Sequence, residues 1–183
     1  MLVKDIILKV CDFLENKELS QAILKNSLNS QQEEEVETLV KCLNLVRNEI
    51  ATEMLPNVKL ERVASQKGRI DFSSLSHQII EILSVKDIFG NNAVYDVYSD
   101  HITTSETKVD IKYNANPEIL AFEDEFFSTI PERVYAYGIV REYYYIQTLY
   151  EDAGVWEARF KNSIGALERK KSETVVLKRR WTY

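Results

Sequence analysis

The sequence predicts an α+β fold: a helical domain built from long helices with a C-terminal αα-hairpin, a small antiparallel β-sheet inserted in it, and an extended C-terminal tail. Three observations carry this prediction. Apolar residues step by three and four at both ends of the chain but alternate by two in the middle. Glycine (5) and proline (3) are scarce among 183 residues, so most of the chain belongs to regular elements. The residues that tolerate positive φ, Gln66-Lys67-Gly68 and Gly90-Asn91-Asn92, fall inside the alternating stretch, where hairpins need them.

Leu2, Ile6, Val10, Phe13 and Leu14 place a short amphipathic helix at the start. A polar break at 26–32 leads into a second helix over about 31–54, in which Val36, Leu39, Leu43, Val46 and Ile50 form the apolar stripe. Glu33, Glu34 and Glu35 suit the positive end of its dipole, and Pro56 stops it. From Asn57 the period becomes two. Val58 and Leu60 alternate with Lys59 and Glu61, Val109 to Tyr113 alternates cleanly, and Ala93 to Tyr98 is rich in strand formers. Ser73 to Ser76 reads as a loop, and Asn114 to Pro117 closes the strand region.

Thr129-Ile130-Pro131-Glu132 has the spacing of a capping box and predicts a helix start with Pro131 in the first turn. That helix carries Tyr135, Tyr137, Tyr143, Tyr144, Tyr145 and Tyr150 in addition to Val134, Ile139, Val140 and Ile146. This is wider than the usual apolar stripe, so some rings are expected to face a partner, against the alternative of a densely packed core. After a turn near 149–152, Ala153, Trp156, Phe160, Ile164 and Leu167 form the stripe of a last helix, antiparallel to the first. Trp156 is expected in the core. The segment after about Lys171 loses helical period and mixes Lys178, Arg179 and Arg180 with Val175, Val176, Leu177, Trp181 and Tyr183, a tail with anchors. The expected division is 1–56 with 118–171 as helical domain, 57–117 as inserted β domain and 172–183 as tail.

Acidic residues outnumber basic ones 29 to 23, a formal charge of −6, opposite to the footprint of a domain that grips nucleic acid. No run approaches the length of a membrane span, and no membrane partner, export signal or lipid anchor is expected. The two cysteines, Cys11 and Cys42, lack metal or redox spacing and read as buried small residues. The five glycines are isolated, so there is no phosphate-cradling loop, and His77 and His101 lack metal-ligand spacing. No catalytic residue, metal ligand or cofactor is therefore proposed. The one catalytic pattern worth weighing is Asp110-Ile111-Lys112 on a strand, with Asp96 upstream, which could hold Mg²⁺ and polarise a water as in metal-dependent nucleases. An alternating strand with one solvated face yields the same Asp-x-Lys as simple charge decoration. A further alternative is a small regulatory protein dimerising through the tyrosine helix.

The C-terminal half also carries a resemblance. Ile130-Pro131-Glu132-Arg133-Val134-Tyr135-Ala136-Tyr137-Gly138, then Glu142-Tyr143, Leu149-Tyr150-Glu151-Asp152-Ala153, Trp156 and Ala166-Leu167, resemble the helical hairpin of head-to-tail connector (adaptor) proteins of tailed phages, the tail tubular protein A type of short-tailed phages. The stretch from Leu43 to Glu53 and the sheet opening at Gly68-Arg69-Ile70-Asp71-Phe72 are similar to that family too. The resemblance implies a non-enzymatic structural protein of the virion head–tail junction, made in the host cytoplasm. It implies a ring of about twelve copies below the portal, through which DNA passes without specific binding. It also implies a subunit interface, for which the tyrosines named above are the candidates. The tail would dock on the portal through Leu177, Lys178, Arg179, Arg180, Trp181 and Tyr183, and the inserted sheet would contact the next tail component.

Overall fold

In the computed structural model, which describes the backbone of residues 1–173 and the side chains through Arg169, the chain is α+β. It divides into two compact units, residues 1–47 with 119–183, and residues 48–118.

The first unit is helical. Its helices are α1 (Val3–Phe13), α2 (Lys17–Leu24), α3 (Ser30–Glu49), α4 (Glu132–Ile146) and α5 (Tyr150–Glu173). Each buries its apolar stripe: Val3, Ile6, Ile7 and Val10 from α1, Leu39, Leu43 and Val46 from α3, Ile139 and Val140 from α4, Phe160 and Ile164 from α5. Among the described residues no helix is long and apolar enough to cross a membrane. Gly138 marks a close approach of three helices. A Cβ there would stand 2.6 Å from Val46 Cγ1 and 3.2 Å from Phe160 Cε2, so only a hydrogen lets α4 sit against both α3 and α5.

Helix α2 was not foreseen. Asn16 caps it by accepting from Leu19 N at 3.1 Å, and Leu19, Ala22 and Ile23 supply its buried face. The expected capping box at Thr129 does not form: α4 begins after Pro131 without a side-chain cap, and Glu132 instead pairs with Lys9 on α1 at 2.8 Å. A reciprocal box exists elsewhere, at the start of α3, where Asn29 Oδ1 accepts from Gln32 N at 2.9 Å and Gln32 Oε1 from Asn29 N at 3.0 Å. The helix expected to reach 54 ends its α-helical part at Glu49 and closes with a single π-helical turn, Ile50–Met54. Three helices end alike. Glu15, Asn26 and Thr148 take positive φ (57, 49 and 60°) just past α1, α2 and α4, and the amides at and after them bond back to carbonyls in the last turn.

The second unit holds two three-stranded antiparallel sheets where one was expected. The strands are β1 (Val58–Ala64), β2 (Arg69–Asp71), β3 (Ile79–Asp87), β4 (Tyr95–Val97), β5 (His101–Thr104) and β6 (Lys108–Ala115), ordered β1-β6-β3 and β2-β5-β4. Both contribute to one core, with Ile70, Val85, Ile102, Val109, Ile111 and Tyr113 buried together. Lys67 and Gly68 (φ 54 and 81°) form the two-residue turn between β1 and β2, closed by Gln66–Arg69 backbone bonds of 2.8 and 3.1 Å. Alternation in β1 leaves the apolar face outward. Leu60 is 68% exposed and Val58 exposed, whereas Glu61 turns inward to accept the Tyr113 hydroxyl and both the amide and hydroxyl of Ser76.

Two substitutions test the helical packing. Gly138→Ala is expected to lower stability by about 1–3 kcal/mol in urea unfolding despite the better helix propensity of alanine, because the methyl group overpacks the crossing. Thr148→Gly is expected to raise it by about 1 kcal/mol, because a β-branched residue is strained at φ 60°.

Candidate functional site

The hairpin of α4 and α5 carries the six tyrosines, and the structure sorts them by position along the helix. Tyr135 is 5% exposed; its hydroxyl meets Ser128 Oγ at 2.8 Å and its ring meets Phe126 edge-on at 5.5 Å. It belongs to the core, so its place among the interface candidates is corrected. Burial pushes its phenol upward. Tyr137 is half-buried in a cluster with Phe13 (5.4 Å) and Trp156 (5.7 Å), and Arg159 covers the Trp156 ring at 4.5 Å. Trp156, expected in the core, is itself half-buried. Tyr143 is half-buried and donates to Glu35 Oε1 at 3.2 Å, an oxygen that also accepts from Asn16 Nδ2 at 3.1 Å. Burial and that carboxylate push the Tyr143 phenol up to about 12. Tyr144 is half-buried, edge-on to Tyr143.

Tyr145 and Tyr150 differ from these four. They are 40% and 66% exposed, with ring centroids 6.3 Å apart across the turn. Ile146 and Leu149, which the sequence reading did not single out as site residues, are exposed beside them in sequence. The four apolar side chains therefore crowd the end of the hairpin. Thr148 at positive φ and the bonds from Leu149 N to Tyr144 O (2.9 Å) and from Thr148 N to Tyr145 O (3.0 Å) fix the turn that presents them. The signal was available: the apolar run Tyr143 to Ile146 is longer than one helical stripe, and Leu149-Tyr150 continues it across the turn.

One turn below the end, the hairpin is held by a buried cation. Arg141 is 4% exposed, donates to Glu157 Oε2 on α5 at 2.9 Å and to Glu142 Oε1 at 2.6 Å, and lies 4.8 Å from the centroid of the Phe160 ring. Lys161 meets the other Glu157 oxygen at 2.6 Å. Burial alone would raise the Glu157 pKa, but the bonds from Lys161 and Arg141 outweigh it, so the carboxyl sits below its usual range. Gly154 and Gly165 lie on the same helix with nothing within 4 Å of a built Cβ, unlike Gly138.

The catalytic alternative finds a different arrangement. Asp110 is gripped by Arg62 through two bonds, 2.6 and 2.8 Å, which hold its carboxyl below the usual range, while Asp96 sits on β4 in the other sheet. The trio Asp96, Asp110 and Lys112 does not share a strand pair. Among the described residues no three His, Cys, Asp or Glu side chains gather as a metal site. His101 Nδ1 lies 2.6 Å from Asp100 Oδ1, and its ring stacks on Tyr98 at 4.6 Å. A cleft of about 530 Å³ nearby is lined by Asp71, Ser76, His77 and Asp100 among others, but Asp71 and Asp100 are both bound by Arg69 and Ser76 by Glu61. Cys11 and Cys42 are buried, and burial pushes both thiols up to about 12. The tail residues Leu177, Lys178, Arg179, Arg180, Trp181 and Tyr183 lie outside the described residues.

The chain matches no family model and no curated protein sequence.

Two measurements test this sorting. Tyr135→Ala is expected to cost roughly 3–5 kcal/mol of stability, as for other buried rings, whereas Tyr150→Ser should stay within about 0.5 kcal/mol. The Glu157 pKa is lowered by folding, so its contribution is present above the ordinary carboxylate range and lost as pH falls through the folded value. Thermal unfolding of Glu157→Gln should therefore change less between pH 6 and pH 3 than that of the unaltered chain.

Proposed function

We propose that this chain is a non-enzymatic structural protein of a tailed-phage virion, forming the head-to-tail connector (adaptor) ring beneath the portal, joining capsid to tail and lining the DNA channel. The observation that carries the reading is the pair of exposed rings, Tyr145 and Tyr150, set with Ile146 and Leu149 on a turn that is fixed rather than mobile in its hydrogen bonding. A preordered apolar end of a hairpin loses little entropy when a partner covers it, which is what a repeated subunit contact requires. A ring needs heterologous contacts, one surface of each copy against a different surface of the next, and the end of the hairpin offers one such surface.

Charge supports the same reading. Setting aside the three cations of the last ten residues, which contain no acid, turns a formal −6 into −9 for residues 1–173. A wall of that sign repels phosphates and lets a genome pass without the drag of many lysine contacts. The partners in this reading are further copies of the chain, the portal and the next tail component. The place of action is the head–tail junction, after synthesis in the host cytoplasm. The resemblance of residues 130–167 to connector hairpins points the same way.

The test is to mix the purified chain with a phage portal and view the particles by electron microscopy. A ring of about twelve copies on the portal is expected, and Leu149→Asp should leave the chain folded by circular dichroism yet remove the ring. A chain that stays monomeric with and without portal, or Mg²⁺-dependent DNA cleavage that Asp110→Ala abolishes, would overturn the reading.

A further inference from the structure

The apolar end of the α4–α5 hairpin lacks a named occupant, and three observations identify one. The first is its chemistry. Beside Tyr145, Ile146, Leu149 and Tyr150 stand the exposed carboxylates Glu151 and Asp152 in the first turn of α5, so the surface is apolar and acidic together. Its complement is an apolar segment with cations at close spacing. The last ten residues, Thr174-Val175-Val176-Leu177-Lys178-Arg179-Arg180-Trp181-Thr182-Tyr183, have that composition, with three cations, no acid and five large apolar side chains.

The second observation is reach. The tail leaves the described chain at Glu173, the end of α5 opposite to the turn. Twenty-three helical steps separate Tyr150 from Glu173, roughly 35 Å at the helical rise. Leu177 is four residues beyond Glu173 and Arg180 seven, so a fully stretched backbone carries them at most about 14 and 25 Å. Leu177 therefore cannot cover the turn of its own hairpin. The third is the surface along α5. Gly154 follows Tyr150 by one turn, and an added Cβ there meets nothing within 4 Å. An exposed glycine in a helix interior costs about 1 kcal/mol relative to alanine, and among the described residues nothing comes within 4 Å of a Cβ built at Gly154.

We infer that the tail of one copy, residues 174–183, lies across the α4–α5 turn of the next copy. Leu177 and Trp181 cover Tyr145, Leu149 and Tyr150; Arg179 and Arg180 meet Glu151 and Asp152; and Gly154 allows the backbone to approach. The contact joins one end of the hairpin to the other end of its neighbour's, so it is heterologous and propagates around a closed set of copies. It rests on the ring reading and deepens it by naming what covers the exposed rings. The portal contact that the resemblance implies for the tail is the competing outcome.

The test uses two full-length variants, Tyr150→Cys and Leu177→Cys, mixed under mild oxidation with and without portal. The native thiols are buried, and an engineered pair bridges only where its Cα atoms come within about 7 Å. A disulfide joining the two variants is expected. Its yield should fall several-fold in 1 M salt and in Glu151→Gln/Asp152→Asn, and a chain carrying both cysteines should give a ladder of linked copies rather than an internally closed monomer. A yield no greater than that of Leu177→Cys mixed with Val97→Cys, an exposed strand position, overturns the inference, as does a closed monomer from the double variant. Rings on the portal without the disulfide leave the ring reading standing and remove this contact; the disulfide without rings does the reverse. Gly154→Ala supplies an independent measurement: it should stabilise the free chain and lower the disulfide yield, and an unchanged yield contradicts the close approach.

Discussion

The helical unit depends on a missing methyl group. At Gly138 the backbone of α4 comes so close to Val46 on α3 and Phe160 on α5 that no side chain fits between them. One close crossing fixes three helices at once, because each of the two neighbours is itself buried in its own stripe. Arg141 stands three residues further along α4, on the same side, where it reaches Glu157 and covers Phe160. A buried guanidinium is costly to desolvate; Glu142 offsets part of that cost from α4 itself, and the carboxylate of Glu157 offsets the rest only if α4 and α5 keep their register. The steric constraint and the ionic one therefore specify the same alignment.

That alignment determines what the end of the hairpin can do. The first half of α4 faces α1, α3 and the segment before it, so Tyr135 disappears into the core and Tyr137 shares a ring cluster with Phe13 and Trp156. Tyr143, near the end, still finds a partner in Glu35. Beyond it the helix outruns its neighbours, and Tyr145, Ile146, Leu149 and Tyr150 are left in water. Apolar side chains scattered singly on a surface need no explanation, but four within six residues at a turn held by its own backbone bonds form a preordered patch. In the proposed ring this patch is a surface that a neighbouring copy covers.

The unit of strands shows how far patterns reach. Lys67-Gly68 was legible because a two-residue turn with positive φ at both positions, closed here by Gln66 and Arg69, favours such residue types, although β1 and β2 on its two sides belong to different sheets. The facing of β1 was not, because alternation reveals the period of a strand and not which face is buried. Glu61 is the inward residue because the buried Tyr113 hydroxyl needs an acceptor, a fact that lies 52 residues away in sequence. The second sheet was missed for a related reason: Ala93 to Tyr98 read as rich in strand formers, but the central strand β5 has four residues and β2 three, too few to show a period. Helix α2 escaped because eight residues with three buried positions barely exceed one turn of pattern. Thr129 and Asn29 make the same point about caps. Both have the right spacing, but the glutamate of the first is taken by Lys9 from another helix, and the second is left free to fold back on its own chain. For the site, the surplus of rings on α4 was visible, and which rings were surplus was not, since that depends on where α1 and α3 stop.

In the proposed ring the exposed rings are covered by a neighbouring copy, and tyrosine accessibility in the intact virion measures that most directly. Side-chain labelling of the free chain and of the assembled particle, read residue by residue by mass spectrometry, should show Tyr145 and Tyr150 reactive in the first and protected in the second. Tyr135 should be unreactive in both. Equal labelling of Tyr145 and Tyr150 in the two states would contradict the account.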